Sequence, residues 1–335
     1  MNTNSYSETI ECSTCDSLDL QDVFFDSLRK DYIEFNSWFA QKCLAEHRKC
    51  FIIRDNYSKI VGLCIYKQES PLYEMNGLII KMCTFKSSFK GYKHGELLLR
   101  RMLERCYELN ADWLYVTAYQ SNKVCSFFEK FGFDRYKERK KDTGELIYRK
   151  KLKPTNEDSI LSSLDYHRKY GYRFFDRSEQ AFLVPLKENL YDYLFPEASS
   201  KNEDVLRLLN TESNAIRKKF RKKEHTNLIK EGSILLFCKY QPSKVIKCCG
   251  IVEKVFRSKK HEVIKKFRGD ELSTLQSHKT DSIEWLCIQF RHAENLSKDF
   301  YLDDLMKNHL IKGYPRVITK ISDEVKNCIL KNMPY

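Results

Sequence analysis

The stretch LIIKMCTF (78–85), followed after a short spacer by KGYKHG (90–95), decides the fold of the first half of the chain. The first string is short, apolar and bounded by turn-forming residues, which predicts a β-strand over Leu78–Phe85. Beyond the second string, apolar residues recur three and four positions apart, which predicts an amphipathic helix from Gly95 to about Glu108. WLYVTA (113–118) then predicts a strand, and the pattern over Lys123–Phe131 predicts another helix.

The loop between the first strand and helix has the composition of an anion-binding site. Backbone N–H groups at a helix N-terminus have no intrahelical acceptor and carry partial positive charge, so a pyrophosphate fits there. Glycines let the backbone approach the phosphates closely, and lysines supply countercharge. An ordinary turn with solvated lysines is the alternative explanation. The residues predicted to bind a phosphate group are Lys90, Gly91, Tyr92, Lys93, His94, Gly95 and Glu96.

The stretch from Trp113 to Phe133 resembles the second hallmark of the GNAT acetyltransferases, an Asn-led helix that ends in a Tyr-Glu-Lys-Leu-Gly-Phe-like sequence. The loop at 90–95 is similar to the family's pyrophosphate motif, and the resemblance extends from about residue 9 to 152. It implies a mixed sheet flanked by helices and acetyl-CoA as cofactor. It also implies that the pantetheine arm pairs with the strand before the loop. The cofactor-binding residues implied in this way are Met82, Cys83, Thr84, Phe85, Asn122 and Phe128.

Two positions depart from the family pattern. Lys93 stands where the family usually has glycine, and Phe128 replaces the tyrosine that commonly protonates the departing CoA thiolate. Tyr119, at the end of the preceding strand, is our candidate for that acid. The strand Leu78–Phe85 contains no carboxylate, so Glu69 and Glu74 in the loop before it are the nearest candidates for the general base, and Glu69 is our choice. A surface carboxylate without a catalytic role is the alternative for either residue. Direct attack by an amine without a specific base is also compatible with the sequence.

The remaining patterns divide the chain into two domains, an α/β (α+β) organisation. Residues 1–153 read as a strand, two helices, three strands, a helix, a strand, a helix and a closing hairpin. Pro154 and the polar stretch after it mark a break, so we assign 154–178 to a connector and 179–335 to a second domain. The second domain has strand-like runs at Ala181–Leu186, Ile234–Lys239, Cys249–Arg257 and Ile283–Arg291, and helical ones at Asn189–Leu194 and Leu302–Asn308.

The most distinctive stretch of the second domain is the cation run Arg217–Lys223, which has six cations in seven residues. We predict that residues 214–223 form a basic, helix-like segment. Such a run attracts phosphates irrespective of base sequence. A solvated helix face is the alternative. The pattern of this stretch and of the strands after it resembles the PUA-like β-barrels, in particular the EVE and ASCH branches, over about 181–322. The residues themselves predict a nucleic-acid surface with Arg217, Lys218, Arg221, Lys222 and Arg316 as cations and with Phe220, Trp285 and Tyr314 as faces on which a base could stack. EVE-type domains capture an extruded, modified base in an aromatic pocket, so the resemblance implies that Asn214 and Trp285 lie near that base.

Composition limits the remaining classes. The 335 residues carry a net charge of +13, of which residues 154–335 hold +8, and this favours a polyanionic partner. No apolar run approaches the ~18–20 residues of a membrane span, and the first residues show no secretory signal. The thirteen cysteines lie mostly in apolar runs, so we expect reduced thiols in a cytoplasmic protein. Cys12 and Cys15 form the only CxxC, and we predict no metal site.

Together these features predict an acetyl-CoA-dependent N-acetyltransferase that acts on an amine of an RNA-linked or nucleoprotein substrate. The PUA-like domain would deliver that substrate, with RNA favoured over DNA and no membrane partner. One alternative is a non-catalytic reader of modified nucleic acid built on a degenerate GNAT scaffold. The other is an acetyltransferase for a protein substrate whose second domain only docks a partner.

Overall fold

A computed structural model describes residues 8–88, 93–171, 180–199, 214–240, 243–267, 269 and 283–331. The chain divides into two units, the first comprising the described residues up to Thr155 together with Asn214 and Ala215. The second contains the described residues from Asn156 to Ser199 and from Ile216 onward.

The first unit is built on a seven-stranded sheet in the order β1-β2-β3-β4-β5-β7-β6. The β4–β5 pair is parallel and every other neighbouring pair is antiparallel. The hairpins predicted at both ends of this region are confirmed as β2–β3 and β6–β7. The strands are β1 Thr9–Thr14, β2 Lys49–Arg54, β3 Ile60–Glu69, β4 Ile79–Ser87, β5 Trp113–Ala118, β6 Asp134–Arg139 and β7 Leu146–Lys151.

Helices cover the sheet of the first unit. The apolar stripe of α3 (His94–Glu108) is fully buried, including Leu97, Leu98 and Met102, and burial of each leucine stabilises the unit by about 1.5–3 kcal/mol. An aromatic core led by Phe25, Phe35 and Phe39 lies under the segment between β1 and β2. The helices there are α1 Asp26–Asp31 and α2 Phe35–Trp38, continued by a π-helical turn at Phe39–Leu44, and α4 Val124–Lys130 follows β5.

The second unit has a six-stranded mixed sheet in the order β13-β8-β10-β11-β12-β9. Only the β8–β10 pair is parallel. Its strands are β8 Ala181–Leu186, β9 Arg217–Lys222, β10 Ile234–Lys239, β11 Val245–Ser258, β12 Trp285–Tyr301 and β13 Thr319–Lys320. Its helices are α5 Ser163–Tyr170, α6 Glu188–Leu194, α7 Pro196–Ser199, α8 His261–Ile264, α9 Leu302–Lys307 and α10 Asp323–Leu330.

The prediction of a helical cation run is wrong, because Arg217–Lys222 forms the strand β9. Its residues pair antiparallel with β12, from Arg217 opposite Arg291 to Lys222 opposite Leu286. In a strand, neighbouring side chains point to opposite faces. Phe220 therefore packs in the core with Phe237 and Phe290. The run of charges around it in the sequence gave no sign of this packing.

We expect Gly250→Ala to destabilise the second unit by about 1–3 kcal/mol, because a Cβ at Gly250 would lie 2.5 Å from Cδ2 of the Phe290 ring and 3.0 Å from the carbonyl oxygen of Arg291. Urea unfolding of the purified chain measures this change. Gly313→Ala is the control, since a Cβ there has no neighbour within 4 Å. Equal stabilities of the two variants would contradict the packing described for β11 and β12.

Candidate active site

The central feature of the first unit is a gap that opens between β4 and β5. These parallel strands are paired over four positions, from Ile79 opposite Trp113 to Met82 opposite Val116. Beyond Met82, β4 continues to Ser87 along β3, but its described pairing with β5 has ended. The backbone edge of Cys83–Phe85 therefore faces the gap, and an extended ligand could hydrogen-bond there as an added strand.

A bulge at Cys83 accompanies the opening. Ile65 pairs with Thr84 and the next residue, Tyr66, pairs with Met82, so Cys83 is an extra residue on β4. A bulge bends its strand and increases the local twist, which turns β4 away from a straight path beside β5. The strand segment predicted to contact a cofactor thus lies at the edge of the gap.

The lysine that departs from the family pattern, Lys93, lies at the start of α3. Lys93 has φ +59° and ψ +16°, the left-handed conformation that glycine adopts at low cost. His94 is buried, and its Nε2 lies 2.9 Å from Oε1 of Glu8, so its side chain points into the unit. Three residues predicted to contact phosphate, Lys90, Gly91 and Tyr92, lie outside the described residues.

Three further residues predicted to bind the cofactor, Phe128, Asn122 and Gly95, lie in the described part of the chain. Phe128 is fully buried, with its ring centroid 5.3 Å from that of Phe85 and 5.0 Å from that of Phe133. It therefore forms a packed aromatic wall behind β4. Asn122 accepts a hydrogen bond from Val124 N through its side-chain oxygen at 3.1 Å and so fixes the start of α4. Gly95 is not sterically required, because a Cβ there would make only ordinary contacts of 3.6 Å with Phe127.

The two candidate catalytic residues lie near opposite ends of the paired strands. Tyr119 follows the C-terminal end of β5, where the gap opens, and is 36% exposed. Glu69 ends β3 opposite Ile79, at the beginning of β4, and is ion-paired with Lys67 at 3.0 Å and Lys81 at 3.9 Å. The structure therefore does not bring Glu69 and Tyr119 together. Glu74 is more than half exposed and is paired with Lys137 at 2.7 Å.

Sequence reasoning missed a carboxylate beside Tyr119. Glu145 precedes β7 and is buried, and its Oε1 accepts a hydrogen bond from the Tyr32 hydroxyl at 3.2 Å. Its Oε2 accepts one from the Thr117 hydroxyl at 3.0 Å, two residues before Tyr119. The stretch DTGEL (142–146) resembles any hairpin turn, and the partners lie far away in sequence, so no local pattern could have identified this carboxylate.

The thiol of Cys83, on the strand that borders the gap, packs against the aromatic core led by Phe25, Phe35 and Phe39. Burial raises the pKa of its thiol to about 11, although the nearby Arg48 guanidinium opposes the increase. Nη1 of Arg48 lies 3.5 Å from the Cys83 sulfur, and Arg48 is also ion-paired with Glu46 at 2.7 Å. The thiol is therefore protonated near neutral pH and acts as a packed, polarisable side chain.

Half of the six cations in the run Arg217–Lys223 are used internally. Lys218 is buried and donates to the carbonyl oxygen of Leu194, and Arg221 is buried and donates to that of Phe267. Lys222 donates to the carbonyl oxygen of Pro185 at 2.8 Å. These three side chains hold neighbouring segments to β9. They are not the solvated phosphate contacts that the sequence predicted.

The aromatic side chains predicted to contact a base also make internal contacts in the structure. Trp285 is 3% exposed, and both Arg221 and Lys223 lie over its ring at about 5 Å, so it is a core residue without an open face. Tyr314 is 37% exposed, but its hydroxyl donates to Asp303 and Nζ of Lys244 lies 3.8 Å from its ring centroid. Of the remaining predicted contacts, Arg217 is half-buried, Arg316 is exposed and Asn214 is buried in the first unit.

A different set of cations on the second unit is more accessible, with Lys254, Lys259 and Lys260 exposed and Lys219 half-buried. Gln289 of β12 lies in register between Lys254 of β11 and Lys219 of β9, so these three side chains share one face of the sheet. Lys259 and Lys260 extend this group beyond the end of β11. Within the described parts of the chain, no carboxylate lies within ion-pair distance of these four lysines. We call Lys219, Lys254, Lys259 and Lys260 the lysine face.

The described ranges of the chain contain neither a metal-binding cluster nor a membrane-spanning helix. In these ranges, no group of three or more histidine, cysteine or acidic side chains could hold a metal ion. No helix there is both long and apolar enough to cross a bilayer.

Comparison with known proteins supports the predicted class of the first unit. Residues 14–133 match the Acetyltransferase (GNAT) family, so the GNAT prediction is confirmed for this region and marks an acyltransferase domain. The match does not extend into the second unit. No curated protein matches the sequence.

Several solved structures are similar to parts of the chain. An ASCH protein from Zymomonas mobilis has 10% identity and a TM-score of 0.33, covering 47% of this chain and 98% of its own. An N-acetyltransferase from Staphylococcus aureus Mu50 has 17% identity and a TM-score of 0.33, with coverages of 44% and 99%. The AtaT toxin, bound to the C-terminus of the antitoxin AtaR and acetyl-CoA, has 16% identity and a TM-score of 0.33, with coverages of 43% and 93%.

The raised pKa of Cys83 predicts a steep pH dependence of its alkylation. Since the thiolate is the nucleophile, the rate with iodoacetamide should rise nearly tenfold per pH unit from neutral pH until it levels off at about 11. Peptide mass spectrometry of the labelled chain measures this rate. A rate at Cys83 that levels off near neutral pH would contradict the burial described for this thiol.

Proposed function

We propose that the chain is an acetyl-CoA-dependent N-acetyltransferase whose cofactor lies in the gap between β4 and β5. The observation that carries this proposal is the end of β4–β5 pairing after Met82, which leaves the backbone of Cys83–Phe85 facing the gap. The GNAT match over residues 14–133 supports it. Bound acetyl-CoA would supply the acetyl thioester.

The residues of the gap fit such a group. The backbone groups of Cys83–Phe85 can hold an extended amide chain, and the buried Phe128 forms an apolar wall behind it. The left-handed Lys93 begins α3, where unsatisfied backbone N–H groups favour a phosphate. Lys90 and Gly91 of the same loop stay in the proposed phosphate site.

Tyr119 is our proposed general acid, because it is the exposed phenol at the end of β5 beside the gap. Within the described residues its hydroxyl has no hydrogen-bond partner, so its proton is available for transfer to a leaving thiolate. Phe128 cannot serve, since it has no ionisable proton. Glu69 is a weaker base candidate than the sequence suggested, because two lysines already pair with it at the far end of β4.

Acetyl-CoA should bind to the purified chain and protect Cys83 from iodoacetamide, because the ligand would cover the bulge. Lys93→Glu should weaken binding measured by calorimetry, since it places a negative charge beside the phosphates. Lys93→Gly is the matched comparison, because glycine fits the left-handed conformation and removes the positive charge without adding a negative one, so it should weaken binding less than Lys93→Glu. Protection that is absent at saturating acetyl-CoA, with no binding heat, would refute the proposed cofactor site.

The second unit is proposed to be a PUA-like domain that binds the RNA part of an RNA-linked or nucleoprotein substrate. The lysine face supports this role, because its cations are available to phosphates while Lys218, Arg221 and Lys222 are not. The packed Phe128 favours a second candidate, a non-catalytic reader. Incubation with labelled acetyl-CoA and total RNA or protein distinguishes the two, because only an enzyme transfers the label.

Replacing Lys219, Lys254 and Lys260 together by Glu should weaken RNA binding and flatten its salt dependence. Each lost phosphate contact should reduce the slope of log affinity against log salt by ~0.7–0.9. The matched control replaces Lys307, Lys312 and Lys320, three exposed lysines of the same unit outside the lysine face. Fluorescence anisotropy with a labelled RNA measures both slopes. Equal slopes for the two triple variants would refute a role for the lysine face.

A further inference from the structure

Cys12 differs from the other cysteines of the chain in its exposure. Of the thirteen thiols, nine are buried and three are half-buried, whereas Cys12 is exposed on β1, the edge strand of the described sheet. Its neighbour in the CxxC sequence, Cys15, is fully buried in the aromatic core of the same unit. A reagent dissolved in water therefore reaches Cys12 before the other twelve thiols.

Two hydrogen-bond donors without an acceptor lie beside this thiol. The hydroxyl of Tyr66 and Nε of Arg105 are buried, and neither has a hydrogen-bond partner within the described residues. Tyr66 is only 5% exposed, and Arg105 makes its ion pair with Glu108 through Nη1 at 2.8 Å, which leaves Nε without an acceptor. A buried donor without an acceptor is costly, so a group that brings an acceptor oxygen to these two donors is stabilised.

Packing on one face of the sheet brings the donors to the thiol. Cys12 lies directly opposite Phe51 of β2, and the ring of Phe51 stacks on that of Tyr66 with a centroid distance of 5.6 Å and an angle of 20°. Burial raises the pKa of the Tyr66 phenol, Cys12 raises it further, and the Arg105 guanidinium lowers it. The hydroxyl is therefore flanked by the thiol and the guanidinium, and it remains a protonated donor at neutral pH.

We propose that Cys12 is a site of oxidation by peroxide at which Tyr66 and Arg105 hold the oxygen of a sulfenate. The sulfur of Cys12 attacks one oxygen of the peroxide, so that a sulfur–oxygen bond forms and the oxygen–oxygen bond breaks. The sulfur loses two electrons, and with hydrogen peroxide the leaving hydroxide takes the thiol proton and departs as water. The sulfenic acid then gives its proton to solvent, and the sulfenate oxygen accepts hydrogen bonds from both donors.

The surroundings of Cys12 also prolong the life of a sulfenate. A sulfenic acid is ordinarily lost to a second thiol or to further oxidation. Cys15 is buried in the core and is not available as that second thiol. Hydrogen bonds from a phenol and a guanidinium withdraw charge from the sulfenate, which slows its attack on a second peroxide molecule. This site is separate from the proposed cofactor site and does not depend on acetyl transfer.

The test follows the survival of the sulfenate on the full chain. The chain is treated with hydrogen peroxide, the excess is destroyed with catalase, and dimedone, which reacts with sulfenic acids, is added after increasing delays. Peptide mass spectrometry should find the dimedone adduct chiefly at Cys12, in large excess over the half-buried Cys125 and Cys328. An adduct spread equally over these three cysteines would overturn the proposal.

Tyr66→Phe removes the hydroxyl and keeps the aromatic ring on which Phe51 stacks. It should shorten the lifetime of the sulfenate at Cys12 about tenfold, because one hydrogen bond to an anion is lost. Tyr57→Phe is the matched control, since Tyr57 is 79% exposed and its hydroxyl is remote from any buried donor. Equal lifetimes in these two variants would contradict the proposed role of Tyr66.

Thermal unfolding gives a second readout that does not depend on dimedone. Oxidation of Cys12 supplies the acceptor that the two buried donors lack, so the singly oxidised parent chain should unfold at a higher temperature than the reduced chain. Cys12→Ser should show no such increase after the same treatment. Arg105→Lys keeps the positive charge but loses Nε, and it should also shorten the lifetime of the sulfenate, which decides the question where Tyr66→Phe fails to fold. Oxidation that leaves the parent chain's unfolding temperature unchanged or lowers it would refute the site.

Discussion

Hydrogen bonding between β4 and β5 stops after four residue pairs, and the candidate chemistry of the first unit depends on that interruption. A continuous parallel pair would satisfy its backbone groups and leave no acceptor or donor for a ligand. The bulge at Cys83 turns β4 away from β5. The buried ring of Phe128 packs against Phe85 of the same strand and against Phe133. The proposed cofactor site and the carboxylate network at Glu145 both lie beside the gap that results.

The first unit was largely predictable because its signals are local. Apolar spacing identified α3 to within one residue of its start, and the β2–β3 hairpin follows from a turn-forming segment between two apolar runs. Family resemblance identified the strand that borders the gap. Neither kind of pattern contains the hydrogen bond between Tyr32 and Glu145, since those residues approach each other only after the sheet is assembled.

The cation run shows how a local pattern can mislead. Charge density alone is the same in a helix and in a strand, and one phenylalanine among six cations is a weak marker of alternation. Once β9 pairs with β12, Phe220 has to face the core, and its neighbours Lys218 and Lys222 follow it to that side of the sheet. Their ammonium groups then bind carbonyl oxygens, an outcome that depends on β8 and α6 and is not encoded near residue 220.

The position of β9 gives its cations a further consequence. In the described part of the sheet, β9 is an edge strand, and its outer backbone groups are a template onto which another chain could add. The partly exposed Arg217 and Lys219 on this edge discourage the addition through charge repulsion between copies, whereas the buried Lys218 and Arg221 do not take part. The strand that most suggested a ligand surface thus protects the protein from aggregation. Neutralising Arg217 and Lys219 would favour self-association as the protein concentration rises.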